Sequence, residues 1–143
     1  MVKKNEKYII GDLVIWEHYW SKRNYVAEII EIGETQCYIR FSPSKGFSGI
    51  EGNIRLKTLK PIPLTMEILE HNGFTVGNYN EWSNPKCDFL HFVIDSLDEN
   101  KWSVYARRAE DEVQLTTIKY VHELQHLLFG LDINIKIEIN ESL

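Results

Sequence analysis

A chain of 143 residues with 16 Lys and Arg against 21 Asp and Glu has a formal charge of −5. That balance argues against a general polyanion binder, because phosphate contacts need clustered cations, and it leaves room for an acidic face that meets a basic groove on another protein. Hydrophobic content of 43% and charged content of 26% are ordinary globular values, in a chain long enough to fold as one domain, or two small lobes, without staples.

Residues 1–7 are polar and expected to fray. Met-Val-Lys-Lys has the charge of a leader but no apolar stretch follows it, and no run reaches the length of a membrane span. The expected location is therefore the cytoplasm. From Tyr8 the pattern turns to short strands, YIIGDLVIW, YVAEIIEI, CYIRF and IRLKTLKPI, punctuated by Gly11-Asp12, Gly33-Glu34 and the Gly-rich SKGFSGIEGN. Val26, Ile29, Ile30 and Ile32 beside Glu28 and Glu31 give the mixed alternation of a curved strand. Strands and turns at this spacing predict a small SH3-like or Tudor-like β-barrel over residues 8–63. Cys37 and Cys87 lie in no metal-ligand spacing and are expected to be reduced thiols.

Pro61 and Pro63 stiffen the exit from the barrel, and Thr65 is placed to cap a short helix, MEILEHN, that closes at Gly73. Phe74 to Lys86 reads as a loop or ragged strand anchored by Trp82. Phe89 to Ile94 and Trp102 to Arg107 predict a β-hairpin, and Ala109 to Glu112 an acidic connector. Thr116 to Leu131 is strongly periodic, with Ile118, Val121, Gln125, Leu128 and Phe129 on one face, Thr116 or Thr117 as N-cap and Gly130 as the stop. It predicts an amphipathic helix of about four turns. The alternation of Ile133, Ile135, Ile137 and Ile139 with polar residues predicts a final strand. The fold class is α+β: the barrel, then a lobe over residues 64–143 that could share one core with it.

Two segments, LKPIPLTMEILEHNGF and IKYVHELQHLLFGL, together resemble small uncharacterised proteins of Bacteroidetes phages and prophages. In those, a β module precedes a "PIPLT-x-x-x-L-x-x-x-GF" element and a C-terminal helix of the type "KYVHQLQNLYFALTG-x-EL". Pro61 to Thr65, Leu69, Gly73 and Phe74 match the first element, and Tyr120, Val121, His122, Leu124, Gln125, Leu127 and Phe129 fall within the second. The resemblance implies a phage-type origin and no particular activity. Glu123 and His126 stand where that pattern has Gln and Asn, so helices of this type form without a zinc motif.

HELQH could nonetheless hold zinc: His122 and His126 on one helical face, Glu123 as general base and Asp132 as third ligand would make a small hydrolase. The glycine that turns the chain in metzincin-like sites is expected at position 129, which is Phe129, and Gly130 comes one residue late. A scaffold helix is the expectation, with no metal, no cofactor and no enzymatic activity.

Trp16, Tyr19, Trp20 and Tyr25 bracket the first barrel loop, with Lys22 and Arg23 between them. They could fill the barrel, cage a methylated amine, stack nucleic-acid bases, or concentrate protein-binding energy. Asp98, Glu99, Asp111 and Glu112 fall in loops expected to gather at one end of the hairpin, where they could engage a basic, nucleic-acid-binding groove. The expected function is non-enzymatic binding to a host protein, as a host-takeover or anti-defence factor such as an anti-CRISPR-like inhibitor of a nuclease. Neither bare nucleic acid nor membrane is an expected partner, and a nucleic-acid-binding barrel is the remaining alternative.

Overall fold

The computed structural model describes residues 7–44 and 47–139. The chain divides between Ile62 and Pro63 into two compact units, and among the described residues no helix is long and apolar enough to cross a membrane.

The first unit is an antiparallel sheet of β1 (Leu13–Glu17), β2 (Asn24–Ile32), β3 (Gln36–Ser44), β4 (Phe47–Arg55) and β5 (Lys60–Pro61), in the order β4-β3-β2-β1-β5. A single 3-10 turn, Leu56–Thr58, separates β4 from β5. Period-two alternation puts Val14, Ile29 and Ile39 wholly inside, where each burial contributes about 1.5–3 kcal/mol. The mixed apolar pattern of β2 has a physical origin: the register with β3 slips between Ile29 and Glu31, a β-bulge that bends the strand. Gly11, at φ +96°, turns the chain ahead of β1, and the Asp12 carboxylate accepts the Ile9 N–H at 2.9 Å to close that turn.

Two expectations change here. The ladder does not show the closure of a small barrel; among the described residues, β4 and β5 are its two edges. The Gly-rich segment, expected as a turn, mostly forms β4, while Lys45 and Gly46 lie outside the described residues. Its glycines make room for cross-strand aromatic rings. A Cβ at Gly52 would stand 2.9 Å from the Tyr38 ring, and one at Gly49 would stand 3.4 Å from Phe41.

The second unit opens with α1 (Met66–His71). Thr65 Oγ1 accepts the Ile68 N–H at 3.2 Å, and the last turn closes through Gly73 N–H to Glu70 O and Phe74 N–H to Leu69 O. That paired closure needs a left-handed residue, which Gly73 supplies at φ +86°. A second antiparallel sheet follows: β6 (Thr75–Val76), β7 (Trp82–Ser83), β8 (Leu90–Ile94), β9 (Trp102–Arg108) and β10 (Asp111–Ile118), ordered β10-β9-β8-β7-β6. Phe74, Leu90, Phe92, Trp102 and Val104 are buried in this unit.

The long helix is shorter than its periodicity suggested. Thr116, Thr117 and Ile118 belong to β10 and pair with β9, and α2 spans only Val121–Gly130 with Tyr120 as N-cap. Three successive β-branched residues favour the extended ladder over a first helical turn. The acidic connector is a tight two-residue turn between Arg108 and Asp111, with Ala109 at φ 56°. On α2 the buried apolar stripe is Val121, Leu124 and Leu128, and Phe129 is 80% exposed. At about 100° per residue Phe129 lies roughly 110° from the centre of that stripe, in the last turn, which corrects its expected place in the core.

The final strand is also corrected. Residues 133–139 keep the alternation, with Ile137 buried, but join no ladder among the described residues. A side chain stands in for a strand partner: Asn72 Oδ1 accepts the Glu138 N–H at 2.7 Å, and its Nδ2 donates to Glu138 O at 2.9 Å.

Candidate protein-binding site

The β1–β2 connection is built to hold two aromatic rings in solvent. His18 N–H donates to Arg23 O at 2.8 Å and Lys22 N–H to His18 O at 2.9 Å, closing the turn at its base. Inside it the Ser21 N–H reaches His18 Nδ1 at 3.2 Å, and Ser21 Oγ accepts the Arg23 N–H at 3.3 Å. Lys22 completes the turn at φ 61°, a left-handed conformation unusual for a residue with a long side chain. At the tip Tyr19 is 71% and Trp20 83% exposed, packed edge to face with centroids 5.0 Å apart. Lys22 Nζ lies 5.6 Å from the centre of the Tyr19 ring, a cation–π contact.

Trp16 and Tyr25, grouped with them in the sequence, do a different job. Trp16 is buried and meets the Phe41 ring at 4.7 Å, with Tyr25 half-buried beside both. Trp16 belongs to the sheet's core and the half-buried Tyr25 packs against it. Arg23 is exposed on the turn.

Beside the turn is a cleft of about 480 Å³. Tyr19, Trp20 and Lys22 line it from the turn, and Glu51, Arg55 and Lys60 from β4 and β5. None of the cations Lys22, Arg55 and Lys60 forms an ion pair among the described residues. Sequence reasoning found the turn and missed the β4–β5 wall, which lies some thirty residues further along the chain. A signal was present: dividing the charges at Ile62 gives ten Lys and Arg against seven Asp and Glu before it, a net +3. The remainder has six against fourteen, a net −8, so the overall −5 conceals a basic unit and an acidic one.

The acidic residues are not brought together. Asp98 and Glu99 sit in the β8–β9 connection, and Asp111 and Glu112 begin β10 at the opposite end of β9, about 20 Å away by strand rise. Glu112 is engaged by Arg107 at 2.9 Å, which also holds Glu81 at 2.9 Å. Asp98 builds its own turn by accepting the Asn100 N–H at 3.0 Å, and it pairs with Lys119 at 3.4 Å. That N–H donor, and then Lys119, hold the Asp98 carboxyl below the usual carboxylate range. A depressed folded value means the contribution is present at neutral pH and is lost as pH falls through it. Asp98→Asn is accordingly expected to flatten the acid limb of stability against pH, as measured by urea melts at descending pH.

The zinc arrangement is not assembled either. His122 is buried with its ring stacked on Tyr120 at 5.8 Å, and His126 meets it edge to face at 5.5 Å. Asp132 is exposed beyond the helix end, at φ 56°. Among the described residues, no three His, Cys, Asp or Glu side chains stand close enough to hold a metal ion. Glu123 is occupied otherwise: its Oε1 accepts the N–H groups of Lys119 at 2.9 Å and Tyr120 at 3.1 Å, closing the start of α2. Glu123→Ala is expected to cost about 0.5–2 kcal/mol as a lost cap, whereas Glu123→Gln keeps an acceptor oxygen and most of the stability. Paired thermal melts check this. Cys37 and Cys87 are both buried, which pushes their thiols up and away from the reactive thiolate.

No protein-family model, curated protein or solved structure matches the chain.

Proposed function

We propose that this chain is a non-enzymatic protein-binding factor whose contact face is the β1–β2 turn and the cleft beside it. One observation carries the reading: Trp20 stands 83% exposed on a turn that four internal hydrogen bonds hold in place. Leaving a tryptophan in water forgoes the gain of burying it, and a rigid aromatic anchor loses little entropy when a partner covers it. The strand order β4-β3-β2-β1-β5, with a 3-10 turn before β5, supports an SH3-like architecture for the first unit.

A second reading concerns the other unit. Its net charge of −8 favours a basic partner, such as a nucleic-acid-binding defence protein of a bacterial host, and suits a phage-type factor acting in the host cytoplasm. Affinity capture from bacterial host lysate, with and without nuclease, tests both. The expected result is a protein partner retained after nuclease treatment. A partner lost on nuclease treatment would turn the reading to nucleic acid.

A further inference from the structure

We infer that the cleft beside the β1–β2 turn takes an extended peptide segment carrying Asp or Glu next to apolar side chains. This rests on the protein-binding reading and gives it a ligand class. Three cations, Lys22, Arg55 and Lys60, line the cleft without ion-pair partners among the described residues. They belong to a unit of net +3, a charge that complements an acidic segment. Tyr19 and Trp20 supply the apolar platform on a turn whose backbone the His18 and Ser21 hydrogen bonds already hold, so little backbone ordering remains to be done on binding. The left-handed Lys22 puts a cation and an aromatic ring on the same short turn.

The same chemistry could be thought to suit single-stranded nucleic acid, which also pairs aromatic platforms with cations. Two features favour the peptide. Glu17 and Glu51 line the cleft as well, and a backbone with a phosphate at every nucleotide would have to pass them. A peptide can set its carboxylates against the cations and leave neutral or N–H groups beside the glutamates. The volume, about 480 Å³, suits the few side chains of a short peptide.

The test is a selection from displayed, fully randomised short peptides on the purified full chain, followed by affinity measurements on the winners. Enrichment of Asp and Glu beside apolar residues is expected. Binding of a selected peptide should weaken with salt and fall by roughly tenfold or more in Trp20→Ala and in a Lys22→Gly, Lys60→Gln double variant. Glycine accepts the positive φ of position 22, so that variant removes the charge and keeps the turn. Enrichment of basic peptides, no enrichment, unchanged affinity in the double variant, or displacement of the peptide by oligothymidylate at physiological salt would each overturn the inference. If no peptide is enriched while Trp20→Ala still loses the partner captured from lysate, the ligand class is wrong and the protein-binding reading stands. If Trp20→Ala keeps that partner, the reading fails and takes the inference with it.

Discussion

Replacing Trp102 by alanine is expected to destabilise the second unit by about 3–5 kcal/mol, a large share of the roughly 5–15 kcal/mol that holds a domain of this size. Trp102 has no exposed surface, and its Nε1 donates to the Leu64 carbonyl at 2.9 Å inside the unit. Alanine there removes a whole indole from a packed site and strands that carbonyl. Trp102→Phe separates the two effects, since it keeps most of the apolar volume and loses only the donor. It is expected to cost about 1–3 kcal/mol. Urea melts followed by far-ultraviolet circular dichroism measure both. A cost below about 1 kcal/mol for the alanine variant would show that the indole is not a keystone.

The second large effect discriminates two faces of α2. Leu124→Ala and Leu128→Ala should each cost about 2–5 kcal/mol, because both side chains are buried and their neighbours can close only part of the gap. Phe129→Ala, at a position 80% exposed, should stay within about 0.5 kcal/mol of the parent. Comparable losses at 128 and 129 would restore the wider apolar face that periodicity suggests. The same melts distinguish the outcomes.

Where local chemistry and tertiary structure agree, the elements are legible from residues alone. α1 is one such case, because Thr65 and Gly73 mark its two ends by hydrogen-bond chemistry that needs no neighbour. The hairpin of β8 and β9 is another, built from two alternating runs with Asp95 and Asp98 closing turns between them. Legibility fails where a distant strand decides. Glycines that read as a turn become β4 because Tyr38 and Phe41 of β3 cover them. Thr116 and Thr117 read as a helix start until β9 is there to pair with them.

The site divides in the same way. Tyr19, Trp20 and Lys22 are contiguous and could be singled out, but nothing local to them reveals that Arg55 and Lys60 line the same cleft. Trp16 and Tyr25 illustrate the converse: strand alternation sends Trp16 inward and the register pairs it with Tyr25 in the sheet, so of the uses the sequence left open to them the structure favours filling the core. Glu123 looked like a general base by spacing, and its hydrogen bonds make it a cap.

The most direct test of the binding face is the affinity of the captured host protein for the parent chain and for Trp20→Ala, compared at equal ionic strength after nuclease treatment. A solvent-exposed turn residue is not needed for folding, so both forms should melt together. Loss of an anchor of this kind predicts a weakening of about 2 kcal/mol or more, roughly thirtyfold in dissociation constant. Equal affinity of the two forms for the partner would contradict the account.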